Sequence, residues 1–269
     1  MEEVAWTLEE LDRPLADLDV TSGGQVFAVT EKGKGKAEKG QRLFVDGRPL
    51  PVPRPIQHPI LRALDETRML LANARTGESQ NAWILRTTGE VERTFWAGDA
   101  IEDIIPLQSS VAVTYFDQAY GFNGGLDGVV LFDSKGEVAF RHNEGRGNDE
   151  IIDCYCAGRV GRDELLLLGY PGFSIILLDA VTKRETNAWQ APHEIRGAHA
   201  VTLAGGVAFF YGPYEDVKGI YRWRLGDQKA ERIGEHAGPL RGLPKGRFIS
   251  QEDAGFTIVS LTDEVRGER

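Results

Sequence analysis

Three stretches in the middle of the chain place aromatic rings beside carboxylates and glycines. They run Phe116-Asp117-Gln118-Ala119-Tyr120-Gly121-Phe122, Tyr170-Pro171-Gly172-Phe173 and Tyr211-Gly212-Pro213-Tyr214-Glu215-Asp216. Aromatic side chains bury large areas at small entropic cost, and they dominate recognition surfaces. Together with His193, the residues Phe116, Asp117, Tyr120, Phe122, Tyr170, Phe173, Tyr211 and Tyr214 therefore form a candidate binding set. The same rings could instead pack between neighbouring structural units, a use that needs no ligand.

A second set could hold a metal. The five histidines are His58, His142, His193, His199 and His236, and carboxylates accompany several of them. Asp103, Asp149, Asp153 and His199 are the candidate ligands for a divalent cation, through oxygen or imidazole. A water on such an ion would be activated for hydrolysis. No H-E-x-x-H or calcium-loop spacing occurs, so these ligands would have to come from separate units. Asp103 and Asp153 lie inside apolar runs, IEDII and IIDCY, where a carboxylate needs a partner or water. No nucleophile elbow or phosphate-binding loop is present.

The elements that must position these residues repeat. A pair of short apolar runs recurs six times at intervals of roughly forty residues, the period of a four-stranded propeller blade. The first run of each pair begins near Val26, Met69, Val111, Leu165, Val207 and Arg247, and the second near Arg42, Asn81, Gly128, Ser174, Gly219 and Phe256. A strand precedes each pair and another follows a tight turn, as at Asp46-Gly47 and Lys135-Gly136. The expected fold is all-β: a single six-bladed β-propeller domain over residues 1–269, with four antiparallel strands per blade. The sixth unit lacks a final strand, and Val4 to Glu10 is expected to supply it from the N-terminus and close the ring. The interval stretches to 54 residues between Val111 and Leu165, where the aromatics and acids gather. Glu31 to Gln41 is a lysine- and glycine-rich connection, read as a solvated loop.

Composition narrows the partners. The chain has 31 basic and 41 acidic residues, a net charge of −10, which disfavours nucleic acid and acidic membranes and favours a basic partner. No run is apolar enough to span a membrane, and the acidic N-terminus does not read as a secretory signal. Cys154 and Cys156 are two apart in one strand, so regular alternation puts both thiols on one face. A reduced, cytoplasmic protein is expected.

The stretch VTYFDQAYGFNGGLDGVVLFDSKGEV, followed by DCYC, resembles a block found in uncharacterised bacterial six-bladed β-propeller proteins. That resemblance implies the propeller fold and a bacterial origin, and it carries over no catalytic residue. By fold alone, the wider six-bladed superfamily includes metal-dependent lactonases.

The leading expectation is a non-enzymatic propeller that binds a protein or peptide partner through its loop face, in the manner of an immunity protein, with no cofactor. The rival is a hydrolase or lactonase with a divalent cation at the channel mouth. A small-ligand sensor is the third reading.

Overall fold

The computed structural model describes residues 1–7, 13–32, 40–77, 80–119, 127–144 and 151–261. It contains six four-stranded antiparallel sheets arranged as a closed ring. Strand β1 (Glu2–Thr7) is followed by blade one, β2 (Leu15–Val20), β3 (Val26–Thr30), β4 (Arg42–Val45) and β5 (Arg48–Pro51). Blade two is β6 (Pro59–Ala63), β7 (Arg68–Asn73), β8 (Ala82–Arg86) and β9 (Val91–Phe95). Blade three is β10 (Ile101–Pro106), β11 (Val111–Tyr115), β12 (Val129–Phe132) and β13 (Val138–Arg141). Blade four is β14 (Asp153–Arg159), β15 (Glu164–Tyr170), β16 (Ser174–Asp179) and β17 (Arg184–Gln190). Blade five is β18 (Ala200–Ala204), β19 (Val207–Tyr211), β20 (Gly219–Arg224) and β21 (Glu231–Glu235). Blade six is β22 (Arg241–Leu243), β23 (Arg247–Glu252) and β24 (Gly255–Ser260), completed by β1. Within a blade the strands run a to d from the channel outward.

The expected N-terminal clasp forms, but it begins two residues earlier than Val4, and residues 8–10 of the expected strand lie outside the described residues. Glu2 to Thr7 pairs antiparallel with Ser260 to Gly255, and Trp6 stacks on Phe256 with ring centroids 5.0 Å apart. The last blade thus takes its outer strand from the other end of the chain.

Burial explains why the inner strands read as unbroken apolar runs. Each blade is covered on both faces by its neighbours, so no polar face is needed on the middle strands. All five residues of β11 and all four of β12 are buried. The outermost strands face water and turn polar, as in Arg184–Gln190. The apolar core is correspondingly split into six layers, one between each pair of adjacent blades. The layer of Leu15, Leu18, Phe256 and Ile258 joins blade six to blade one. Asp46 and Gly47 both take positive φ, 48° and 78°, as a tight two-residue hairpin turn requires.

The channel-lining strands of blades one, three and four share an irregularity. Each carries a β-bulge, with Ala16, Glu102 and Tyr155 as the extra residues. A bulge breaks the two-residue alternation and re-aims the side chains beyond it. The consequence is plain at the cysteines, which do not share a face as alternation predicts. Cys154 packs in the layer between blades three and four, and Cys156 in the layer between blades four and five. Both are buried free thiols, and burial pushes both well above the ordinary thiol range.

Candidate functional site

In this ring the d–a and b–c connections emerge together at one mouth of the channel, and the a–b turns at the other. At the first mouth, between blades four and five, four rings converge. Tyr170 ends β15, Phe173 precedes β16, Tyr214 lies in the loop after β19, and Tyr155 is the bulge residue of β14. Tyr155 stands 5.9 Å from Tyr170, 6.0 Å from Phe173 and 5.6 Å from Tyr214, between ring centroids. Phe173 is in turn 6.1 Å from Tyr214 and perpendicular to it. The Tyr214 and Tyr155 hydroxyls are hydrogen-bonded to one another. These separations are those of favourable aromatic pairs.

The backbone makes room for this cluster. Gly197 has φ +72°, and a Cβ there would lie 2.5 Å from the Tyr214 ring, so only glycine admits the ring at that point. The amide of Tyr214 donates to the carbonyl of Arg196 at 3.1 Å, and the Arg196 guanidinium lies over Phe173 at 5.4 Å. His193 and Glu215 face each other at 3.5 Å on the rim, both largely in solvent. Tyr170 and Tyr214 remain 40% and 53% exposed, so the cluster is a surface and not a sealed core.

Of the binding set, Tyr170, Phe173, Tyr214 and His193 are brought together here. Tyr211 is not. It is buried, and its hydroxyl donates to the carbonyl of Gly238 at 2.6 Å, which makes it a packing residue between blades five and six. Phe116 is half-buried against the layer between blades two and three, beneath the Arg75 guanidinium at 5.1 Å. Asp117 is exposed at the start of a short 3-10 turn, Asp117–Ala119. Tyr120, Phe122 and Asp149 lie outside the described residues, as does most of the lysine-rich connection.

Carboxylates border the rings. Asp153 is half-buried, and burial together with the charge of Asp117 raises it to about 6. Glu102, the bulge residue of β10, keeps an exposed side chain, yet partial desolvation and the charges of Asp103 and Asp153 raise it to about 7. Both carboxyls are thus held above the usual range, Glu102 further than Asp153.

Of the four candidate metal ligands Asp149 is not described, and Asp103, Asp153 and His199 do not form a metal-holding group. Asp103 is committed to Arg62, whose Nε and Nη2 donate to Oδ1 at 2.9 and 2.5 Å. His199 is exposed at the start of blade five. Among the described residues no group of three or more His, Cys, Asp or Glu side chains is placed to hold a metal ion. His142 is fully buried and bonded to Asn143 and Glu185, a structural role.

Arg62 is the residue that sequence reasoning missed most completely. Its side chain is 5% exposed and also pairs with Asp17 of blade one at 2.7 Å. Asp19 continues the belt, accepting from the Ala63 amide of blade two and from Arg241 of blade six, each at 2.8 Å. Blades six, one, two and three are thus joined across the channel by charge. The available signal was an arginine inside the apolar run ILRAL and two acids at i and i+2 in LADLDV.

No known family model matches the chain, and no curated protein matches it in sequence. Solved structures do match in shape. The chain is similar in fold to virginiamycin B lyase from Staphylococcus aureus. The two superpose with a TM-score of 0.57 at 11% identity, covering 97% of this chain and 99% of that one. At that identity the likeness establishes the propeller fold alone. No helix of the described residues is long and apolar enough to cross a membrane.

Proposed function

We propose that the chain is a binding protein that holds a protein or peptide partner on the mouth formed by its b–c and d–a loops. The observation that carries this reading is the partly exposed ring cluster of Tyr155, Tyr170, Phe173 and Tyr214. Exposed rings at the centre of a surface are the usual anchors of an interface. The net charge of −10 and the nearby Asp117 and Asp153 favour a partner with a basic side chain near the rings.

The test compares affinity capture by the native chain and by a Tyr170→Ser/Tyr214→Ser double variant in extracts of the source organism. The reading predicts a protein retained by the native chain, released by salt and lost by the variant. A retained protein indifferent to the two tyrosines would sink it.

The divalent-metal hydrolase is the second reading, and less is in its favour. It would draw on Asp153 and its neighbour Glu102, and it would require Asp103 to leave Arg62.

A further inference from the structure

The other mouth of the channel has the opposite character. There the a–b turns surround a cavity of about 680 Å³ that reaches inward to the Arg62 belt. Four carboxylates line it, and each already has donors. Asp103 is held by Arg62, Asp19 by Arg241, and Asp65 by Arg68 at 2.7 Å. Glu66 accepts from the Thr21 hydroxyl at 2.6 Å and the Gly23 amide at 3.0 Å.

Four further cations line the same space: Arg159, Arg162, Lys245 and Arg247. None of them has a carboxylate partner among the described residues. Arg159 donates through Nη1 to the carbonyl of Pro106 at 3.3 Å, and Arg247 through Nε to that of Pro244 at 3.2 Å. Backbone oxygens therefore orient both guanidiniums while most of their five N–H donors stay unused. A guanidinium fork so held matches the geometry of carboxylate and phosphate oxygens.

The enclosure is firm on one side. A Cβ at Gly242 would lie 2.0 Å from the Val201 carbonyl oxygen, and one at Gly158 would lie 2.8 Å from it. The inner strands of blades four, five and six are consequently in direct backbone contact, which makes that wall of the cavity continuous. The cavity's volume falls within the ~300–1,000 Å³ typical of small-molecule sites. An excess of cations here stands against the chain's overall −10, which repels large polyanions from the rest of the surface.

We propose that this cavity binds a small multivalent oxyanion, a phosphorylated or polycarboxylated metabolite, through Arg159, Arg162, Lys245 and Arg247. This site is separate from the ring cluster and does not depend on it.

The experiment is isothermal titration of the full chain with pyrophosphate and, separately, with citrate at low ionic strength. Both are repeated on Arg159→Gln/Arg247→Gln and on Arg162→Gln/Lys245→Gln. The second pair sits on exposed turns, so it keeps the test usable if the first fails to fold. Lys229→Gln, on the outer surface, is the control. The expected result is saturable one-to-one binding of at least one probe, weakened at least tenfold by either double variant and unchanged by the control. Pyrophosphate preference would assign phosphate as the recognised group, and citrate preference carboxylate. No saturable binding of either probe at millimolar concentration, or equal binding by native chain and variants, would overturn the proposal.

Discussion

Arg62 of blade two and Asp103 of blade three meet inside the channel with Nη2 and Oδ1 2.5 Å apart, and the same guanidinium reaches Asp17 of blade one. One side chain thus ties three blades. Its burial disfavours the charged form, but the adjacent carboxylates outweigh that and hold it protonated. Replacing Arg62 with Ala leaves Asp17 and Asp103 without their shared partner in a largely enclosed space. Loss of one member of a buried pair costs about 3–5 kcal/mol. Urea unfolding should show that loss, and a change under about 1 kcal/mol would mean that water replaces the guanidinium without penalty.

Glu102 predicts a pH dependence of definite sign. Its folded value, about 7, lies above its ordinary 4.5. The folded state therefore favours the protonated acid. The associated stability is fully present below pH 4.5 and is lost as pH rises through 7. Glu102→Gln should raise the melting temperature by about 2 °C at pH 8 and leave it unchanged at pH 4. A rise of equal size at both values would assign the gain to something other than charge.

The two thiols occupy different inter-blade layers, so they should neither pair with each other nor react while the ring is closed. A thiol-specific chromogenic reagent at pH 8 should register no cysteine in the native chain within minutes and both in denaturant. Rapid reaction of either thiol in the native chain would show that a layer opens locally.

Closure by β1 predicts that the first seven residues carry stability out of proportion to their exposure. Every side chain of the strand is exposed, yet its backbone completes blade six and Trp6 covers Phe256. Removing residues 1–7 uncovers the β24 edge, which invites pairing between chains. Size-exclusion chromatography with light scattering should show self-association of the truncated chain. A monomer with an unchanged melting temperature would contradict the clasp.

The repeat of apolar runs, the six blades and the clasp could be read in the sequence, because burial on both faces turns the inner strands into continuous hydrophobic stretches. The rings of Tyr170, Phe173 and Tyr214 were also legible, as loop aromatics between glycines. The bulges were not. Nothing in IIDCYCA marks Tyr155 as the extra residue, and an alternation rule carried through it misassigns both cysteines. Long-range charge pairing was equally hidden, since Asp103 and Arg62 lie 41 residues apart and meet only once the ring closes. For the same reason Asp103 read in the sequence as a carboxylate in need of a partner, and Arg62 of the preceding blade supplies one.

The central claim is that the ring cluster is the face that holds a partner. Hydrogen exchange of the chain with and without its captured partner tests it most directly. The account predicts added protection at residues 170–173 and 213–217 and none along the outer strands β5, β9 and β17. Protection confined to those outer strands, or to the a–b turns at the other mouth, would contradict it.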